Sequence, residues 1–140
     1  MARAIDSSDV VRGGLDNSFG VAGKVYLYED TKKIRLQSRS VFILPDGQIL
    51  CAASSDELQS TYLVMLDSRG VVNNSFGENG LSRFKLSDFF PGGELAQPYS
   101  LKFDTVLQKF VMGFYVSEQD YSRKTGLAKF DLNGRLDPSF

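Results

Sequence analysis

"GGLDNSFGVAG" (Gly13–Gly23) and "GVVNNSFGENG" (Gly70–Gly80) run in a common register, and the chain closes on "GRLDPSF" (Gly134–Phe140). Setting Leu15 against Val72 and Leu136 gives intervals of 57 and 64 residues. The longest ungapped match pairs "MLDSRGVVNNSF" (Met65–Phe76) with "KFDLNGRLDPSF" (Lys129–Phe140), so that Asp67 meets Asp131 and Gly70 meets Gly134. The first two copies agree again beyond the phenylalanine, as F-G-x-x-G. A period of this kind marks a repeat architecture, in which one supersecondary unit stacks on the next.

Within each period the pattern is that of strands. The first unit offers "KVYLY" (Lys24–Tyr28), "SVFIL" (Ser40–Leu44), "QILCAAS" (Gln48–Ser54) and "TYLVML" (Thr61–Leu66). The second offers "LSRFKL" (Leu81–Leu86), "YSLKF" (Tyr99–Phe103), "KFVMGFYV" (Lys109–Val116) and "GLAKF" (Gly126–Phe130). These runs are short, rich in β-branched and aromatic residues, and bounded by Gly, Asp, Asn and Ser. No stretch sustains an apolar helical period over three turns. "PDG" at Pro45–Gly47 reads as a tight hairpin. The expectation is an all-β chain of two four-stranded antiparallel propeller blades.

The signature then has a mechanical role at the crossing between blades. Asp16, Asn73 and Asp137 carry side chains that bond nearby backbone N–H groups and fix a turn, and Ser18, Ser75 and Ser139 do so more weakly. Phe19, Phe76 and Phe140 are expected in the seam between neighbouring blades. Gly20, Gly23, Gly77 and Gly80 allow a left-handed backbone at the bend. A Ca²⁺ loop would need several oxygen ligands in close alternation, and "DSRG" and "DLNG" supply too few.

These residues resemble the delta-60 repeat, a bacterial propeller-forming family with a DGxLDxSFGxxG-like linker followed by a QxDGKILVAG-like hairpin. The likeness covers nearly the whole chain. "LPDGQILCAAS" (Leu44–Ser54) matches the hairpin with Ala53 in the place of glycine, and Asn73 replaces the second linker's aspartate. In the second unit "DTVLQKFVMG" (Asp104–Gly113) has lost the Asp-Gly turn. The resemblance implies an architecture and carries over no catalytic residue. It also aligns "ARAID" (Ala2–Asp6) with "LVMLD" (Leu63–Asp67). The expected division is an outer strand of a preceding blade plus linker at 1–14, a first blade at 15–76, and a second blade with the start of the next linker at 77–140.

Two blades do not close a ring, since propellers use four to eight. Their open faces would expose residues such as Tyr62, Phe110 and Phe130, and exposure on that scale marks an interface. The expected partner is therefore either a further copy in a head-to-tail ring or the remaining blades of a longer chain. A self-contained two-sheet sandwich is the alternative.

Composition excludes several functions. With 16 basic and 17 acidic residues the net charge is −1, without the basic excess of a nucleic-acid module. The chain has no histidine, which removes the commonest general base and metal ligand. Its single cysteine, Cys51, precludes a disulfide framework or thiolate cluster and sits in an apolar strand pattern. No window approaches the roughly 18 apolar residues of a membrane helix. No cofactor is implied.

Recognition is expected at the blade end that gathers the longer connections, Glu29–Arg39, Ser55–Ser60, Ser87–Pro98 and Ser117–Thr125. Two sets stand out there. Lys32, Lys33, Arg35 and Arg39 form a basic cluster able to bind an acidic partner or polysaccharide, or else a solvated face. Phe89 and Phe90 beside "PGG" are placed to stack on a sugar or protein, or to cover the blade end. Asp56, Glu57, Asp88, Glu94, Glu118 and Asp120 would be the carboxylates of a carbohydrate-active hydrolase or lyase, although their spacing selects no pair. The expected function is a non-catalytic binding scaffold for carbohydrate or a protein partner, with that enzyme as the alternative.

Overall fold

A computed structural model of the chain describes residues 13–29, 34–88, 95–117 and 123–140. Nine strands lie among them: β1 (Tyr28–Glu29), β2 (Ile34–Arg35), β3 (Gln37–Ile43), β4 (Ile49–Ser55), β5 (Ser60–Leu66), β6 (Leu81–Phe84), β7 (Ala96–Asp104), β8 (Lys109–Ser117) and β9 (Arg123–Phe130). One turn of 3₁₀ helix, Leu86–Asp88, follows β6, and the described residues contain no α-helix. The chain is all-β, in antiparallel sheets of two, four and three strands.

Seven of the eight strand runs of the sequence recur as strands, whereas of Lys24–Tyr28 only Tyr28 lies in one, and the grouping differs. The four-stranded sheet has the order β3-β4-β5-β6. Its fourth strand is "LSRF", which the sequence assigns to the second unit. Leu81 and Phe84 pair with Val64 and Thr61 of β5. The division between sheets therefore falls after β6 rather than at Phe76. The reason is local: the linker turns back at Gly77–Gly80, and β6 meets the strand it has just left. Its backbone groups are satisfied there without crossing the sheet.

The second sheet, β7-β8-β9, repeats β3-β4-β5 closely. Both first strands carry an irregularity in register, between Ser38 and Ser40 in one and between Pro98 and Ser100 in the other. Without its Asp-Gly turn, the β7–β8 hairpin closes through a four-residue turn, 105–108. Gln108 there adopts a left-handed backbone (φ 52°) and Asp104 Oδ1 accepts the N–H groups of Val106 and Leu107. The β4–β5 connection uses the same device, with Gln59 at φ 47°. Residues 55–60 are thus a tight turn and not one of the longer loops.

The four-stranded sheet is covered on both faces. On one, Leu50, Ala52, Leu63, Met65 and Phe84 pack against Leu101, Phe110, Met112, Phe114 and Phe130 of the second sheet. On the other, Cys51, Ala53, Tyr62, Val64 and Leu66 lie beneath Leu27 and Leu36. Every residue of β5 is buried, which is why "STYLVML" reads as a continuous run and not an alternating one. Tyr62, Phe110 and Phe130 are 4%, 0% and 1% exposed. The expectation that they stand on open faces is corrected, because the chain supplies neighbours for both. Thr61 and Ser82 donate hydroxyl hydrogen bonds to the carbonyls of Ala96 and Gly134, which ties the first sheet to the elements beyond it.

Candidate functional site

The linkers build one end of the molecule. In the first, Asp16 Oδ1 accepts the Ser18 N–H at 2.9 Å and the Ser18 hydroxyl at 2.6 Å. Asn73 receives the same two bonds from Ser75 at 3.1 and 2.6 Å, and Asp137 from Ser139 at 3.0 and 2.6 Å. An amide oxygen serves as well as a carboxylate, so the Asn73 replacement leaves the turn intact. The serine hydroxyl holds Asp16 below the usual carboxylate range. Ser139 does the same for Asp137, helped by Lys109.

Each linker docks on the next. The Gly20 N–H donates to the Arg69 carbonyl at 2.7 Å, and the Gly77 N–H to the Asn133 carbonyl at 2.9 Å. Phe19 lies over Gly70 and Phe76 over Gly134. A β-carbon at Gly70 would stand 3.1 Å from the Phe19 ring, and one at Gly134 only 2.6 Å from that of Phe76. Both glycines have a left-handed backbone, with φ of 83° and 80°. Phe76 is buried, Phe19 is half-buried, and Phe140 is 59% exposed, with Lys129 Nζ 4.3 Å from its ring centre.

Between these linkers and the hairpins at the same end lies a cleft of about 450 Å³. Its polar lining comes from Asp46, Gln48, Asn73, Ser75, Thr105, Gln108 and Asn133; Phe76, Phe103, Phe110, Leu44 and Met65 supply its apolar surface. One wall is a hydrogen-bonded series. Gln48 Nε2 donates to Asp46 Oδ2 at 2.7 Å, and Asn73 Nδ2 donates to Gln48 Oε1 at 3.2 Å. The Gln48 N–H, followed by that side-chain bond, keeps Asp46 ionised to lower pH than an isolated aspartate. Among the described residues, Asp46 is the only carboxylate in the lining. Such a surface offers fixed amide and hydroxyl partners beside hydrocarbon and carries little charge.

Of the residues that the sequence gathers as a recognition surface, Arg35, Arg39, Asp56, Glu57 and Asp88 are described. Lys32, Lys33, Phe89 and Phe90 fall outside the described residues, as do Glu94, Glu118 and Asp120. Arg35 lies over the Tyr26 ring at 4.4 Å. Arg39 donates to Gln37 Oε1 at 2.6 Å and to Ser54 Oγ at 3.3 Å. These two guanidinium groups are engaged within the chain. Asp56, Glu57 and Asp88 are exposed, and none of them lines the cleft. Among the described residues, no group of three or more acidic or cysteine side chains is placed to hold a metal ion.

The cleft is what the sequence reading missed. Its polar residues come from four separate turns, of which "PDG" and "NNSF" stood out as turn signals. No helix among the described residues is long and apolar enough to cross a membrane. No family model, curated protein or solved structure matches the chain.

Proposed function

We propose that the chain is a run of β-propeller blades that serves as a non-catalytic binding scaffold. The reading is supported by the way successive units superpose: linker docks on linker, and each sheet lies against the next through its apolar face. The delta-60 resemblance of "GGLDNSFGVAG" and "LPDGQILCAAS" supports the same architecture. Propellers repeat small four-stranded antiparallel sheets radially around a central channel.

The ligand class follows from the cleft. A pocket with several fixed amides, two hydroxyl side chains, aromatic rings and a single carboxylate suits a neutral polyhydroxylated molecule, a carbohydrate above all. Such sites combine mostly apolar walls with a few convergent polar groups. The observation that carries the reading is the hydrogen-bonded series Asp46–Gln48–Asn73 in one cleft with Phe103 and Gln108. A retaining or inverting glycosidase would need two facing carboxylates, and the described residues of the cleft lining contribute one.

A glycan screen followed by titration calorimetry tests this. A bound oligosaccharide should lose at least tenfold in affinity in Phe103→Ala and Gln108→Ala chains and be unchanged in Arg35→Ala. Absence of any glycan ligand, or affinity insensitive to both cleft substitutions, overturns the assignment. Release of reducing sugar by the purified chain would overturn its non-catalytic part.

A further inference from the structure

β3 and β7 run side by side and lead into the cleft at one end. Their irregularities in register lie toward the other end. The extra residue is Arg39 in β3 and Tyr99 in β7, at equivalent positions, since Gln37 pairs with Ser54 where Gln97 pairs with Tyr115. A bulge of this kind re-aims one side chain out of the regular alternation. Each of the two is anchored. Arg39 donates through Nε to Ser54 and through Nη2 to Gln37. The Tyr99 ring stacks on Tyr115 at 6.4 Å and lies against Gly113, where a β-carbon would stand 3.0 Å from it. The Tyr115 hydroxyl is itself fixed by donating to Gln97 Oε1 at 2.8 Å. Ala52 and Ser54, on the face that the second sheet covers, are 0% exposed, yet Arg39 beside them is exposed. The bulge therefore directs its residue out of the seam, whatever lies against the face.

We propose that Arg39 and Tyr99 form a second carbohydrate site, one that takes an acidic sugar of the uronic acid class. Arg39 Nη1 has no hydrogen-bond partner among the described residues. Asp56 and Glu57 of the β4–β5 turn make no ion pair with it. A guanidinium in that state pairs with a carboxylate through short, charge-assisted bonds. The Tyr99 ring, 51% exposed and held flat, offers its face to the hydrocarbon side of a sugar ring. Charge on the two strands favours the same occupant. Their charged residues are Arg39, Lys102 and Asp104, and Asp104 is committed to the Val106 and Leu107 N–H groups at the cleft end. The site lies away from the cleft and takes a charged ligand, so it stands independently of the neutral ligand proposed there.

The test titrates the full chain, at low salt, with a short oligomer of galacturonic acid and with its methyl ester, which keeps the rings and removes the charge. The acid should bind saturably, the ester at least tenfold more weakly, and added salt should weaken the acid alone. Arg39→Ala and Tyr99→Ala should each lower affinity for the acid at least tenfold. Arg39→Gln and Tyr99→Leu, which keep side-chain bulk, should do the same, so that a fold lost in an alanine variant leaves the question decidable. Arg135→Ala, a change of equal charge at the cleft end, should leave binding as it was. The proposal is overturned if the acid does not bind at millimolar concentration, if the ester binds equally, or if either bulge position can be replaced without loss. Binding lost in Phe103→Ala but kept in Arg39→Gln would put the acid in the cleft and equally overturn it.

Discussion

Lys109 Nζ lies 3.3 Å from Asp137 Oδ2, and at the equivalent positions one repeat earlier Asn73 donates to Gln48 at 3.2 Å. The same hairpin-to-linker contact is made once by an ion pair and once by two amides. Both partners have changed together, and the contact has been kept.

That matching makes a single exchange costly. Asn73→Asp would retain the bonds from Ser75 but leave Gln48 Oε1 facing a carboxylate. Turning the Gln48 amide to repair this would forfeit its bond to Asp46. The substitution should lower unfolding free energy by about 1 kcal/mol, and adding Gln48→Lys should recover most of it. Urea titration of the two single variants and the double variant measures the coupling.

The phenylalanines of the three linkers should differ sharply in worth. Phe76→Ala empties a buried seat on Gly134 and should cost about 3–5 kcal/mol. Phe140→Ala alters a ring that is 59% exposed, and its denaturation midpoint should be within error of the parent's.

Gly134→Ala combines a left-handed backbone, costly for any residue with a β-carbon, with a collision against Phe76. A loss of about 2–4 kcal/mol is expected. Gly13 provides the control: its φ is 75°, but no described atom lies within 4 Å of the β-carbon position. Gly13→Ala should therefore lose about 1–2 kcal/mol, the backbone part alone.

Acid should destabilise the fold through its turn aspartates. Asp16, Asp46, Asp67 and Asp137 all have lowered pKa values in the folded chain, chiefly through hydrogen bonds from Ser18, Gln48, Val71 and Ser139 respectively. A depressed carboxyl contributes stability that is present above its unfolded value, about 3.9, and is lost as pH falls through the folded one. The melting temperature should be flat near neutrality and decline below pH of about 4. Asp67→Asn should make that decline shallower.

Cys51 should be inert in the native state. Burial pushes its thiol up to about 11 and leaves it 6% exposed. A thiol reagent at pH 8 should label it only in denaturant, and labelling without denaturant at the rate of a free thiol would contradict the buried placement.

Sequence alone was enough for seven of the strands and for the linker turns, because both are governed by local chemistry; neither the short β1–β2 pair nor the tight turn at residues 55–60 was read from it. Alternation and β-branching mark β3, β4, β8 and β9 within a few residues. Asp16–Ser18, Asn73–Ser75 and Asp137–Ser139 carry their turn-fixing bonds within three residues. The partnership of β6 with β5 was not legible, since "LSRF" has the same character whichever sheet it joins. Nor was the burial of Tyr62 and Phe110, which depends on a neighbouring sheet being present. The cleft was hidden for a related reason: Asp46, Asn73, Gln108 and Asn133 come together only when four turns meet at one end. Local bonding depends on residues a few places apart. Which sheet covers which face, and where a cavity opens between them, is settled by long-range packing, which a periodicity does not encode.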